Sequence, residues 1–197
     1  MTKRIVSVLV LMLAAGGCSQ VPLAHQPEAK PVGPSSANTE QIQLRANAAS
    51  LLFDLIEDEK NVSKIFVIKS GNQEVKGLIQ LISATALAHE RELNHLAQLD
   101  PELNFKALGL PPGEMAARKA EAKSEEYDLL FSSGTNFEFN LLLTQAQAEN
   151  YGSHLAKVAA KNATLPEEIK TFTGMSEAMQ HLYEDTVKQM RSLPPEK

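Results

Sequence analysis

Glu92-Leu93-Asn94-His95 is a Glu-x-x-His motif, which sets a carboxylate and an imidazole one helical turn apart. Helical bundles that hold two metal ions take such a pair from each of two helices and one further Glu from each of the other two. Glu59 and Glu149 are the candidates for the single carboxylates. The second pair is incomplete, because Ala178 stands three residues before His181, where its Glu would be. Glu59 lies four residues after Leu55 and three before Val62, and His89 lies seven after Ile82 and four before Leu93. Both therefore point along apolar stripes, where an unpartnered polar group costs several kcal/mol. Counted from Gly71, Glu59 stands twelve residues away and His89 eighteen. At 1.5 Å per residue that is an offset of about 9 Å, too long for direct contact. A complete di-iron centre is not expected. Glu59, His89, Glu92, Glu149 and His181 remain candidate ligands of a simpler oxygen–nitrogen site for iron, zinc or copper. Otherwise Glu59 and His89 hydrogen-bond locally in a polar core layer and no resident cofactor is implied. His95 is rotated off the His89 stripe, His25 and His154 read as solvated, and Met175, Met179 and Met190 read as core filler.

Other chemistries fare worse. No Ser-His-Asp set stands in a strand-turn-helix context, and no Gly-rich phosphate loop is present. The 197 residues suit one domain, and 43% hydrophobic content supplies a real core. The balance of 19 Lys and Arg against 24 Asp and Glu, with no basic block longer than two, argues against nucleic acid. A single Cys excludes an internal disulfide and a Cys-rich zinc site. The expected role is non-catalytic, a binding or envelope-structural module. The alternative is a metal-binding bundle with oxidoreductase-like chemistry.

Residues 1–17 have the layout of an export signal: Lys3 and Arg4, an apolar run from Ile5 to Leu13, then small residues. Ala15-Gly16-Gly17-Cys18 resembles a bacterial lipobox. That resemblance implies lipidation of Cys18 and cleavage before it, with acyl chains holding the protein at a membrane. Ser19, where an Asp commonly signals inner-membrane retention, implies the outer membrane, with the domain facing the periplasm. Loss of Lys3 and Arg4 takes the 19 basic residues to 17 against 24 acidic, a net charge of −7. Residues 18–38, with Pro22, Pro27, Pro31 and Pro34, read as an extended tether. The implied partners are the membrane, through the lipid, and an envelope protein.

The candidate ligands need long helices to position them, and proline placement allows these. Beyond Pro34 it occurs only at 101, 111, 112, 166, 194 and 195, so it punctuates long blocks without interrupting them. The spacing predicts a helix from a capping box at Asn38-x-x-Gln41 to about Lys69, stopped by Ser70-Gly71-Asn72. A second runs from Gln73 to Leu99, a third from Glu114 to Ser132, and a fourth from Asn136 to Lys161. Thr164-x-x-Glu167 caps a last one that reaches Arg191. Residues 39–193 are thus expected to be all-α, an antiparallel four-helix bundle with short connections.

From Asp58 to Met190 the chain resembles a ferritin-like four-helix family of secreted and outer-membrane bacterial proteins, domain of unknown function 4142. Asn72-Gln73-Glu74-Val75-Lys76, Ala88-His89, Ser133-Gly134-Thr135-Asn136-Phe137-Glu138 and His181-Leu182 carry the likeness. Glu149 stands where that family has a His, and Ala88 where it has an Asp. The resemblance implies a ferritin-like fold and no settled activity.

Overall fold

The computed structural model describes residues 34–103, 105 and 110–195. The signal segment 1–17, Cys18 and the tether through residue 33 lie outside the described residues. Among those described there are five α-helices and no strand: α1 (Pro34–Glu59), α2 (Gln73–Leu99), α3 (Pro112–Phe131), α4 (Gly134–Asn162) and α5 (Pro166–Ser192). None is long and apolar enough to cross a membrane.

The bounds of α2 agree with the sequence expectation, because its punctuation is chemical. Asn72 Oδ1 accepts the Val75 N–H at 2.8 Å, and the Asp100 N–H closes the far end on the Leu96 carbonyl. Several boundaries differ. Helix α1 starts at Pro34, so the last five residues of the expected tether 18–38 are helical; proline is well tolerated in a first helical turn. It also ends at Glu59 instead of Lys69. A 3-10 helix, Val62–Val67, follows, burying Val62 and Ile65 at the three-residue period of that geometry. The last helix is closed by Glu168, not by Glu167. Glu168 Oε2 accepts the N–H groups of Thr164 at 3.1 Å and Leu165 at 3.3 Å, while Glu167 is exposed.

Helix directions follow from cross-chain contacts. Arg45, midway along α1, meets Glu168 in the first turn of α5, and further on Leu55 and Met179 meet at Gly152, so these two helices run parallel. Asn72 at the start of α2 meets Glu138 at the start of α4, so those two also run parallel. Leu55 of α1 lies against Gly152 of α4, in antiparallel register with the pairing of Glu59 and Gln145. The ring is α1–α2–α5–α4, each helix packed on its two neighbours. Helix α3 lies outside it, against α4, and carries the chain back from the end of α2 to the start of α4. The expectation of short connections throughout therefore fails at one link: α2 and α4 run the same way, so a long return is required. One such crossover is a feature of ferritin-like bundles.

The core runs along the ring interior through Leu52, Ile56, Ile79, Ile82, Leu93, Leu141, Leu142 and Phe172, all inaccessible to solvent. Two polar clamps close its ends. At one, Arg45 is completely buried and bonded to Asp100 at 2.8 Å, Glu102 at 2.9 Å, Glu168 at 2.9 Å and Thr164 Oγ1 at 2.9 Å. At the other, Glu138 takes the backbone N–H of Asn72 at 2.5 Å and its side-chain amide at 2.9 Å. Beside it Lys69 Nζ donates to the carbonyls of Leu130 and Ser132, capping the C-terminal end of α3.

Candidate functional site

The five ligands expected from sequence do not converge. Glu59 and Glu149 come together between α1 and α4; His89 and Glu92 face a groove between α2 and α5; His181 is exposed and lines neither. The reason is angular as well as axial. Residues 89 and 59 lie on different sides of the ring, in addition to the offset along it.

The Glu59–Glu149 locus is the more unusual. Glu59 ends α1 with 1% exposure, and Glu149 on α4 has 2%. Gln145, four residues before Glu149 and so on the same helical face, is completely buried. Its Nε2 donates to Glu59 Oε1 at 3.5 Å, a long bond. Glu59 Oε2, Gln145 Oε1 and Glu149 Oε2 are all buried without a hydrogen-bond partner. Burial pushes the Glu59 carboxyl up to about 8, helped by the Asp58 charge, opposed by the Gln145 bond and helped further by Glu125. Glu149 is raised well above the ordinary carboxylate range by burial and by the charge of Glu59. Glu125 on α3, half-buried and with its own unpartnered Oε2, is pushed up to about 8 by burial and by Glu121 and Asp128. The clamp at Arg45 puts its buried carboxylates against a guanidinium; among the described residues no ion pair reaches Glu59, Glu125 or Glu149. At neutral pH Glu59 and Glu125 largely hold their protons, and burial disfavours the charged form of Glu149.

His89 has a different environment. It is 7% exposed, and burial alone lowers it to about 4, so it is neutral. The groove in front of it, about 590 Å³, is lined by both signs of charge: Arg91 and Lys170 against Glu92 and Glu167, with His95 and Met175. The Glu92–His95 pair is exposed. Among the described residues no three His, Cys, Asp or Glu side chains form a cluster able to hold a metal ion. A local hydrogen-bonded polar layer is found for Glu59 only, through Gln145.

Sequence reading missed Gln145, Glu125 and Arg45. Signals existed for the first two. Gln145 extends the Glu149 face by one turn, and Glu125 falls between Ala122 and Leu129, the two buried residues of α3.

A second feature lies on the outer face of α4 and α5. An open apolar groove of about 510 Å³ runs between them. Phe139, Leu143 and Ala146 line one wall and Tyr183, Val187 and Met190 the other, with Gln147, Asn150 and Arg191 at the rim. On each helix the lining residues are spaced four and then three apart, the repeat of a coiled-coil seam.

No family model matches the chain, and no curated protein matches it. The likeness to the family of domain 4142 therefore rests on its short motifs. Among solved structures, a protein from Streptomyces coelicolor described as a secreted DUF305 protein superposes with a TM-score of 0.58. The two share 16% identity over 78% of this chain and 98% of that one. The likeness is one of helical-bundle fold.

Proposed function

We propose that the protein is a non-catalytic binding module of the bacterial envelope, a ferritin-like four-helix bundle anchored to the outer membrane through lipid on Cys18 and facing the periplasm. The export-signal layout of residues 1–17, the lipobox-like Ala15-Gly16-Gly17-Cys18 and the secreted description of the Streptomyces protein support the location. The observation that carries the binding role is the apolar groove of α4 and α5. Phe139 is 44% and Leu143 37% exposed, on a bundle whose interior is already filled. Two facing stripes at four-three spacing fit the apolar face of a third helix, packed as knobs into holes. The partner is therefore an envelope protein that presents an amphipathic helix.

A photoreactive residue at position 143 or 187 should crosslink an envelope protein in intact cells, whereas one at exposed position 88 on α2 should not. Phe139→Asp and Val187→Asp should abolish the adduct without changing the helical circular dichroism. Equal crosslinking from position 88, or adducts made only of this chain with itself, would refute the reading. Anchoring is tested separately: Cys18→Ala should lose fatty-acid labelling and release the protein from the membrane fraction.

A further inference from the structure

The oxygens at the Glu59 locus lack what buried oxygens ordinarily have. Unpartnered buried acceptors are rare, and each needs a physical reason. Here three of them, Glu59 Oε2, Gln145 Oε1 and Glu149 Oε2, belong to side chains that face one another across α1 and α4. The Gln145 amide is the informative member. It is fully buried and directed at Glu59 by its Nε2, yet its oxygen accepts nothing, and an amide oxygen does not titrate to relieve that. Two carboxylates and an amide carbonyl are an oxygen-only donor set, which suits hard cations and is poor for copper or zinc. A divalent ion that displaced the protons of both carboxyls would meet two negative charges, enough to balance its own. Further acidic residues adjoin the locus. Glu121, Glu125 and Asp128 form an acidic line at four-three spacing on α3, and Glu125, the half-buried member, acts electrostatically on Glu59. Such a line raises the local concentration of cations.

We propose that Glu59, Gln145 and Glu149 form a buried, all-oxygen site for one hard divalent cation, which Glu125 helps to deliver. The site is independent of the groove on α4 and α5. It also differs from the oxygen–nitrogen set expected from sequence, because neither His89 nor His181 takes part.

The test uses the full chain in detergent, stripped with chelator and titrated with Mn²⁺ while free ion is followed by electron paramagnetic resonance. One Mn²⁺ per chain should lose its free-ion signal, Ca²⁺ or Mg²⁺ should displace it, and the melting temperature should rise by several degrees at saturation. Glu149→Gln and Glu59→Gln keep shape and hydrogen-bonding capacity but should lose binding. Glu125→Gln should keep the stoichiometry and weaken affinity about tenfold. His89→Gln and His181→Ala should bind as wild type does. Mn²⁺ that stays free up to millimolar concentration in the wild type would overturn the proposal, whatever the variants do. So would unchanged binding in a folded Glu149→Gln protein, or binding that depends on His89.

Discussion

Arg45 and Glu168 are 123 residues apart in sequence and joined by two hydrogen bonds, of 2.9 and 3.2 Å, with both side chains completely shielded from water. The pair sets the first turn of α5 level with the middle of α1. The same guanidinium holds Asp100 at the end of α2, so one side chain ties three helices.

Removing the cation alone should be costly. Arg45→Met leaves Glu168 buried and uncompensated, a loss of about 3–5 kcal/mol. For a domain of this size that lowers the melting temperature by about 10 °C. Arg45→Met with Glu168→Met should regain much of it, because the Asp100 and Glu102 side chains are 12% and 58% exposed and keep contact with water. Thermal melts of the single and double variants decide; a double variant no better than the single would show that the cost lies elsewhere.

Glu59 should make stability fall as pH rises. Its carboxyl titrates at about 8 in the fold against 4.5 for its ordinary value. Between those values the folded chain holds a proton that the unfolded chain has released. Its contribution is thus complete below pH 4.5 and lost as pH climbs through 8. In chelator-treated protein, Glu59→Gln should flatten the profile and add about 1–3 kcal/mol at pH 8. Urea melts at pH 5, 6.5 and 8 measure this, and parallel profiles for the two proteins would contradict it.

His89 should produce the opposite slope at lower pH. Its folded value is about 4 against 6.5, so the unfolded chain takes up the proton first as pH falls. The contribution is present above pH 6.5 and lost towards 4, up to about 3 kcal/mol. His89→Gln should remove this acid-side loss and leave the slope above pH 7 intact. An imidazole seen by nuclear magnetic resonance to titrate near 6.5 in the folded protein would dispose of the argument.

At Gly152 of α4, side chains of α1 and α5 pack against the backbone. A Cβ there would stand 2.2 Å from Met179 Cε, 2.8 Å from its Sδ and 2.9 Å from Leu55 Cδ2. Gly152→Ala should cost about 1–3 kcal/mol through overpacking, despite the better helix propensity of alanine. Met179→Ala in the same background should cost less than it does in the wild type. Additivity in that double-mutant cycle would mean the contact is not the cause.

Fold class and most helix limits were legible because they depend on local chemistry: prolines at the joints, Asn72 at a cap, apolar residues at three and four. The end of α1 was not. Val62 and Phe66 continue the helical period on paper, and the switch to a 3-10 turn is forced by the need to bury Val62 and Ile65 while reversing direction. Glu59 and Glu149 were legible as inward carboxylates. The axial offset of Glu59 from His89 was legible by counting from Gly71, but the angular separation was not, because it depends on where α2 sits around the ring. Arg45 was invisible for the same reason: its partners come from residues 100, 102, 164 and 168, and no local spacing announces them.

The crossover has a consequence for how the molecule opens. Helix α3 buries only Ala122 and Leu129 and meets the ring mainly along α4, so it is the cooperative unit with least to lose on melting. Because it is a connection and not a wall of the ring, its unfolding would leave the four-helix core closed and covalently linked, with Glu125 swung into water. Amide protons of α3 then exchange by a local route, faster than those of α1 or α4. Each such opening uncovers the side of the bundle where Glu59 and Glu149 lie, which makes the least stable helix the gatekeeper of these buried carboxyls.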